Sequence, residues 1–327
     1  IFNNYKVICT KSTVPVGTGK WIASEIKSMA SSDNFDYVSN PEFLREGAAV
    51  NDFLAPDRIV LGSLSKKAFS EMREIYRPLY INETPTVETS VETAEMIKYA
   101  SNSFLALKIS YINEIANLCE AVGADVHQVA KAMGKDGRIS SKFLHPGPGF
   151  GGSCFPKDLE ALYNLGKEKN IDLNTIKATI KTNKYQKKRV TEKLLHLLDN
   201  DIKNKKIAIL GLSFKPNTDD IRESASLYIV SSLIKLGAHL NVYDPAAMEN
   251  FKSVYPDIHY SENWRDCVKD TDACIILTEW NEFRGIDLSE LKTLLKSPIL
   301  LDAKNIFSIK KLKSLKYSYD NIGRNSI

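Results

Sequence analysis

A cysteine in a glycine-rich segment is the residue of this chain best placed to do chemistry. Cys154 follows Gly151-Gly152-Ser153 and is itself followed, three and four residues on, by Lys157 and Asp158. A thiol is nucleophilic as the thiolate, which a nearby cation favours, and glycines let a substrate approach the backbone closely. A buried, inert cysteine at a helix start is the alternative, because free cysteine is among the most buried residue types. The preceding run Gly147-Pro148-Gly149 indicates an ordered loop, which favours a reactive thiol.

Four further segments accompany this cysteine. They are Ser12-Thr13-Val14-Pro15-Val16-Gly17-Thr18, Asn40-Pro41-Glu42-Phe43-Leu44-Arg45-Glu46-Gly47, Lys98-Tyr99-Ala100-Ser101-Asn102 and Phe214-Lys215-Pro216-Asn217-Thr218-Asp219-Asp220-Ile221-Arg222-Glu223-Ser224. In this order the five segments resemble the UDP-glucose 6-dehydrogenase family, from about Tyr5 to about Phe307. The resemblance implies NAD-dependent oxidation of UDP-glucose to UDP-glucuronate. Relatives that oxidise UDP-N-acetylmannosamine or GDP-mannose by the same route are the alternative. Ser153 favours UDP-glucose, because the N-acetylhexosamine branch tends to have a histidine immediately before the cysteine.

The implied reaction needs a group that holds an aldehyde, because oxidising a primary alcohol to an acid removes two hydrides. A thiolate can hold the aldehyde as a thiohemiacetal, which then becomes a thioester that water cleaves. The resemblance implies that Cys154 is this nucleophile. Lys98 and Asn102, four residues apart, share one helix face, and both can donate to a developing oxyanion. A surface lysine and a helix-exposed asparagine are the alternative.

Three more polar residues receive roles from the resemblance. Asp158 orients a catalytic water or balances the charge of Lys98, and Glu42 is the base for thioester hydrolysis. Thr13 holds a water near the reacting carbon. A loop-capping carboxylate at Glu42 and an ST-turn of Thr13 with Pro15 are the structural alternatives.

Ligand contacts are also implied by the resemblance. For NAD they are Thr13, Glu46, Lys157 and Arg222. For the nucleotide sugar they are Phe43, Leu44, Arg45, Lys98, Asn102, Arg138, Phe143, Phe150, Gly151, Phe214, Lys215 and Lys304. An ion pair of Arg222 with Asp220 or Glu223 is a structural alternative, and Arg138 is expected to reach the sugar of the neighbouring subunit. Lys304 stands where the family often has an arginine, which keeps the charge but loses bidentate geometry.

The glycine-rich turn that opens the family's nucleotide-binding domain is not evident. We find no G-x-G-x-x-G, and the chain starts at Ile1 within what resembles a late strand of that domain. The sequence therefore predicts that the N-terminal nucleotide-binding half-domain is lacking, on the order of 100 residues. A nucleotide-sugar-binding and dimerising module without turnover is then the alternative to an enzyme.

Composition sets further bounds. The 327 residues predict about two domains. The 44 basic and 40 acidic residues nearly balance, so the net charge implies no strong electrostatic field around the protein. The basic run at residues 184–189 is better interpreted as a solvated helix face than as a nucleic-acid site. No metal spacing and no membrane-spanning apolar run is evident. Unpaired cysteines are typical of a cytoplasmic protein; they are Cys9, Cys119, Cys154, Cys267 and Cys274.

Alternating strand-like and helix-like segments predict an α/β fold. The prediction is two Rossmann-like, doubly wound parallel-sheet domains joined by a long central helix, with the N-terminal domain truncated. Residues 1–88 would be the remaining NAD-binding half, 89–198 the central helical domain and 199–327 the UDP-binding domain. The central helix, residues 91–122, is apolar around much of its circumference. In the family it forms the core of a homodimer or larger homo-oligomer; a helix buried within its own chain is the alternative.

Overall fold

The computed structural model describes residues 4–30, 34–82 and 84–326. They form two compact units, Ile1–Asn102 and Ser103–Ile327. The predicted division of the chain at residues 88 and 198 stays a prediction.

The first unit is built on a four-stranded sheet in the order β1-β2-β3-β4. Its elements are β1 (Lys6–Thr10), α1 (Thr18–Ala30), β2 (Phe35–Ser39), α2 (Ala49–Leu54), β3 (Ile59–Gly62), α3 (Lys66–Tyr76), a 3-10 helix (Arg77–Asn82) and β4 (Thr86–Thr89). The pairs β1–β2 and β3–β4 are parallel, as predicted.

The pairing of β2 with β3 departs from the prediction, because it is antiparallel at Ser39 and Gly62. A parallel pair needs a crossover element that packs on the sheet. The helix between these strands, α2, buries none of its residues. We infer that it cannot serve as a packed crossover, so the chain turns back beside β2.

The long central helix has the predicted bounds. It is α4 (Val91–Val122), and it contributes residues to both units. The Ser90 hydroxyl caps its first turn by accepting a hydrogen bond of 3.2 Å from the Thr93 amide. Because Ser90 is the residue before the helix, its side chain satisfies an amide that lacks a helical partner.

The second unit places helices on both faces of a six-stranded sheet. The helices before the sheet are α5 (Val126–Met133), α6 (Phe155–Glu168) and α7 (Asn174–Leu197). The strands are β5 (Lys206–Leu210), β6 (His239–Tyr243), β7 (His259–Tyr260), β8 (Ala273–Ile276), β9 (Ile299–Asp302) and β10 (Ser318–Asn321). The helices among them are α8 (Ala225–Lys235), α9 (Met248–Lys252), α10 (Trp264–Val268), α11 (Asn281–Arg284), α12 (Leu288–Leu294) and α13 (Ile309–Ser314).

All pairings in this sheet are parallel, in the order β7-β6-β5-β8-β9-β10. This is the doubly wound 3-2-1-4-5-6 order, which confirms the predicted Rossmann-like C-terminal sheet. Alternate residues of β5 enter different cores: Ile207 and Ile209 pack with one set of helices, and Ala208 and Leu210 with the other. Ligands of such sheets bind beyond the carboxyl ends of the strands near β5 and β8.

A buried carboxyl group makes the stability of this unit depend on pH. Burial raises the pKa of Asp302 to about 6, against an unfolded value near 3.9. The folded state then binds more protons than the unfolded state between these values. The free energy of unfolding therefore falls with rising pH across this range, by roughly 3 kcal/mol from this group alone.

We expect Asp302→Asn to remove this contribution. Urea unfolding of the variant and the wild type should show a stability difference that shifts in favour of the variant between pH 4 and pH 7. A difference that is constant over this range would contradict the assignment. The amides of Lys304 and Phe307 donate to Asp302, and these hydrogen bonds favour the carboxylate and lower its pKa, but burial outweighs them.

Candidate functional site

The thiol of the second unit lies at the start of a helix. Cys154 is the residue before α6, and its side chain is exposed. Its carbonyl accepts a hydrogen bond of 2.9 Å from the Asp158 amide, which closes the first turn. The alternative of a buried, inert cysteine is therefore wrong, and the thiol is accessible to a substrate.

The two charged residues after the thiol form a pair with each other. Lys157 Nζ donates to Asp158 Oδ1 at 2.7 Å. The Asp158 side chain is 1% exposed and that of Lys157 is 58% exposed. The carboxylate is thus held at the base of α6 and the ammonium remains at the surface. Their roles toward a water and toward NAD stay predictions.

The segment after β5 packs against the thiol loop, which we define as residues 147–154. The Gly152 amide donates to the Arg222 carbonyl at 2.7 Å. A Cβ atom on Gly152 would come within 2.8 Å of the Phe214 ring, and Gly152 has a φ of +80°. Only glycine meets both conditions without strain. Lys215 Nζ lies 5.2 Å from the centroid of the Phe214 ring. The structure therefore brings Phe214 and Lys215, two of the predicted nucleotide-sugar contacts, beside the thiol loop.

Arg222 forms one of the ion pairs that the sequence left open. Its Nε and Nη2 donate to Asp220 Oδ1 and Oδ2 at 2.9 and 2.8 Å. Its predicted contact with NAD stays a prediction.

Lys304 lies beside the thiol loop and is paired. Its Nζ is 2.7 Å from Glu279 Oε2, and its side chain lies 3.6 Å from the position of a Cβ on Gly147. Burial alone would raise the pKa of Glu279, but the Lys304 ammonium outweighs it and the pKa is lowered. The Lys304 ammonium therefore favours the ionised form of Glu279.

Aromatic rings surround the thiol loop. Phe155 lies between Phe143 and Phe150, with ring centroids 6.1 and 5.9 Å apart. Phe150 and Gly151 are buried. Arg138 is exposed and pairs with Asp136, at 2.6 Å from Nη2 to Oδ2. The expected contact of Arg138 with the sugar of a neighbouring subunit involves a partner chain and stays a prediction.

The first unit holds a second cluster, centred on Lys98. Its side chain is 4% exposed, so the alternative of a surface lysine is wrong. Lys98 Nζ donates to the Glu42 carbonyl at 2.6 Å and to Glu42 Oε1 at 3.2 Å. The Phe43 ring lies between two cations, 5.1 Å from Lys98 Nζ and 3.8 Å from the Arg58 guanidinium carbon. Asn102 is buried one turn further along α4.

The other residues predicted in this segment have separate surroundings. Leu44 is partly buried, and its amide donates to Glu42 Oε2 at 2.6 Å. Glu42 therefore also caps its own loop, as the structural alternative holds. Arg45 Nη2 pairs with Asp52 Oδ1 at 2.5 Å, and Glu46 is exposed.

Thr13 follows β1 at the carboxyl end of that strand. Strands β1 and β2 are parallel, with Thr10 beside Ser39. Their following segments run together, since the Glu42 amide donates to the Lys11 carbonyl at 3.2 Å. Loops at the carboxyl ends of adjacent parallel strands are where nucleotides bind. The loops that carry Thr13 and Glu42 are therefore adjacent, and the predicted contact of Thr13 with NAD stays a prediction.

Sequence reasoning missed a carboxylate that organises this edge. Glu95 of α4 is buried and accepts hydrogen bonds from the amides of Gly17 and Gly19, at 2.7 and 2.8 Å. A carboxylate at the N-terminus of α1 is favoured by the free amides and the helix dipole. The spacing Gly17-x-Gly19 at a helix start was the available signal. Glu95, Lys98 and Asn102 lie on one face of α4 by their spacing.

The described part of the chain has neither a candidate metal site nor a candidate membrane span. Residues 4–30, 34–82 and 84–326 contain no group of three or more histidine, cysteine, aspartate or glutamate side chains that could hold a metal ion. Over the same part of the chain, every helix is too short or too polar to cross a bilayer.

Comparisons with known proteins show the family to which the chain belongs. Three parts of the UDP-glucose/GDP-mannose dehydrogenase family match: the NAD binding domain at residues 1–80, the central domain at 92–185 and the UDP binding domain at 208–309. The UDP-glucose 6-dehydrogenase TuaD of Bacillus subtilis is 46% identical over 99% of this chain and 70% of its own length. The UDP-glucose 6-dehydrogenase of Rhizobium meliloti is 46% identical over 98% and 74%.

A solved structure gives the same result for the fold. The UDP-glucose dehydrogenase of Pyrobaculum islandicum superposes with a TM-score of 0.89 at 35% identity, covering 98% of this chain and 71% of that one.

These findings correct one prediction. The NAD binding domain matches residues 1–80, so the expectation that the NAD-binding half is lacking and that the N-terminal domain is truncated was wrong. NAD is the cofactor that this domain implies, and the chain belongs to the UDP-glucose/GDP-mannose dehydrogenase family.

Proposed function

We propose that this protein is an NAD-dependent UDP-glucose 6-dehydrogenase that oxidises the C6 hydroxymethyl group to a carboxylate through covalent intermediates on Cys154. The observation that carries this proposal is the exposed Cys154 thiol on a loop packed against the segment after β5. The relatives named UDP-glucose 6-dehydrogenase, at 46% identity, support the substrate.

The proposed route assigns the bond changes to residues of this chain. The first oxidation converts the alcohol to an aldehyde, and the Cys154 thiolate adds to the aldehyde carbon as a thiohemiacetal. Loss of the second hydride gives a thioester. Attack by water then breaks the carbon–sulfur bond, which releases the carboxylate and restores the thiol. NAD⁺, when bound, accepts the hydride of each oxidation.

Other residues act on charge and protons. Lys98 and Asn102 donate to the oxyanion that develops in each addition. Glu42 accepts the proton of the attacking water, and Asp158 and Thr13 orient that water. The contact of Lys98 Nζ with Glu42 Oε1, at 3.2 Å, supports a shared site for these two residues.

The binding residues keep their predicted assignments within this proposal. NAD is contacted by Thr13, Glu46, Lys157 and Arg222. The nucleotide sugar is contacted by Phe43, Leu44, Arg45, Lys98, Asn102, Arg138, Phe143, Phe150, Gly151, Phe214, Lys215 and Lys304. The position of Phe214 and Lys215 at the carboxyl end of β5 supports the uridine side of this assignment.

The yield of NADH tests the proposal. Four-electron oxidation gives two NADH for each UDP-glucose consumed, and one product that carries a carboxylate at C6. A yield of one would mean that the reaction stops at the aldehyde and that no thioester step occurs. UDP-N-acetylmannosamine and GDP-mannose are the comparison substrates. A kcat/KM for either that equals the value for UDP-glucose would overturn the substrate assignment.

We further propose a homodimer or larger homo-oligomer formed through α4. Its exposed apolar side chains Phe104, Tyr111 and Leu118 recur every seven residues, so they lie along one stripe of the helix. Leu118→Glu should convert the assembly to monomers in light scattering. Ile171→Glu, at another exposed apolar residue, should leave the mass unchanged. A monomeric wild-type protein would contradict this proposal.

A cytoplasmic location completes the proposal. All five cysteines are free thiols, which suits a reducing compartment. Cell fractionation that places the protein outside the cytoplasm would contradict it.

A further inference from the structure

We propose that two amide side chains of α7, Asn183 and Gln186, are positioning residues for the thiol loop. They hold the backbone that carries Cys154 and so set the rate of the covalent steps, without adding to nucleotide binding. The inference rests on the proposed role of Cys154 as the nucleophile.

Asn183 makes a two-bond contact with the loop backbone. Its Oδ1 accepts from the Phe150 amide at 2.8 Å, and its Nδ2 donates to the Phe150 carbonyl at 3.0 Å. Both groups of one residue are therefore paired by one side chain, as a neighbouring strand would pair them. Asn183 is 7% exposed, so the contact is shielded from competing water.

Gln186 makes the corresponding contact three residues earlier in the loop. Its Nε2 donates to the Gly147 carbonyl at 2.9 Å, and the Gly147 amide donates to Asn113 Oδ1 of α4 at 2.9 Å. The Asn117 amide group donates to Gln186 Oε1 at 3.1 Å and so orients the glutamine. Gln186 is fully buried.

The loop depends on these side chains because its own backbone has no regular pairing at these residues. Gly147 and Phe150 are buried and lie outside any helix or strand, and an unpaired buried amide or carbonyl is costly. The fit is also close, since a Cβ atom on Gly149 would come within 2.7 Å of Asn183 Oδ1. The two amides therefore define one arrangement of the loop.

The held backbone reaches Cys154 from both sides. Upstream, Phe150 is fixed by Asn183 only four residues before the thiol. Downstream, the Phe155 ring packs on the Phe150 ring with centroids 5.9 Å apart. The next residue of α7, Lys187, donates from Nζ to the Glu223 carbonyl at 2.8 Å. The helix α7 thus anchors both the thiol loop and the segment after β5.

A loose loop would lower the rate of attack, because a displacement of about 1 Å at a reacting group can cost roughly 10²-fold in rate. Binding of UDP itself should be affected much less, since Asn183 and Gln186 do not contact the segment after β5 that carries Phe214 and Lys215. The distinguishing feature is therefore a fall in kcat with a nearly constant Kd for UDP.

The test compares Asn183→Asp and Gln186→Met with a matched control. Asn183→Asp replaces the donor to Phe150 by an oxygen, and Gln186→Met removes the bond to Gly147 with little change in volume. Thr182→Val is the control, because the Thr182 hydroxyl donates to Glu114 Oε1 at 3.0 Å and not to the loop. We expect kcat to fall roughly 10- to 100-fold in both test variants, with a Kd for UDP within about threefold of the control's.

A second measurement does not depend on turnover. Cys9 and Cys154 are the exposed thiols, so in a Cys9→Ser background iodoacetamide alkylation reports on Cys154. The pH profile of the alkylation rate should change in both test variants and match the wild type in Thr182→Val. Gln186→Met keeps the test valid even where Asn183→Asp fails to fold.

The outcomes separate this inference from the proposed function. Test variants whose kcat and alkylation profile match those of Thr182→Val overturn the positioning role. A parallel loss of UDP affinity and kcat would also overturn it, because the amides would then be supporting the whole unit. If Cys154→Ala retains full turnover, the proposed function itself fails, whatever the α7 variants do.

Discussion

Cys154→Ala is expected to lower the kcat for NADH formation from UDP-glucose by roughly 10³-fold or more, because removal of a catalytic nucleophile usually costs an enzyme at least this much in kcat. The reason is that the aldehyde then has no group to hold it for the second oxidation. The thiol is exposed and lies outside the hydrophobic cores. The variant should therefore keep the unfolding midpoint of the wild type, and its Kd for UDP should stay within about twofold.

The control for this experiment is Cys9→Ala. Cys9 is the other exposed cysteine, and it has no role in the proposed chemistry. Its substitution should leave kcat within about twofold of the wild type. Two NADH per UDP-glucose from the Cys154→Ala variant, at an unchanged rate, would show that the oxidation does not pass through this thiol.

Lys98→Met is expected to cost about 10²- to 10³-fold in kcat, the usual effect of removing one oxyanion donor. Lys98 is a buried cation of the first unit, and its Nζ contacts both the carbonyl and the carboxylate of Glu42. Methionine keeps most of the side-chain volume but none of the donors. The Kd for UDP should change by less than about threefold, because the UDP binding domain matches residues 208–309.

Lys20→Met is the matched control for this lysine. Lys20 of α1 forms an ion pair with Glu92 of α4, the helix that also carries Lys98. The Lys20 side chain is 70% exposed. An exposed pair contributes little to stability, so kcat should stay within about twofold. Equal losses of kcat in the two variants would argue that Lys98 acts through stability and not on the oxyanion.

The local elements could be predicted from the sequence to within a few residues. The bounds of α4 agree with the prediction, and the start of α6 places Cys154 at a helix N-terminus. Caps, glycine stops and apolar periodicity act over a few residues, so their signals are contained in the sequence itself. The motifs that contain Cys154 and Lys98 carried the family in the same way.

The partners of those motifs could not be predicted, because they are distant in sequence. Glu95 meets the amides of Gly17 and Gly19 across 78 and 76 positions, and Asn183 meets Phe150 across 33. The local sequence around an asparagine inside a helix does not show whether its side chain holds a distant loop or lies at the surface. The antiparallel pairing of β3 with β2 could not be predicted either, because it depends on whether α2 packs on the sheet.

The sequence by itself determined the order of the elements, the Rossmann-like second sheet, the family and the residues that could react. Each of these depends on patterns of nearby residues, which can be recognised in the sequence alone. Only the tertiary structure decided that the Cys154 thiol is exposed, that Lys98 is buried against Glu42, and that α7 holds the thiol loop. Burial and hydrogen-bond partners are set by packing between distant segments, and that packing decides whether a reactive residue type is placed to react.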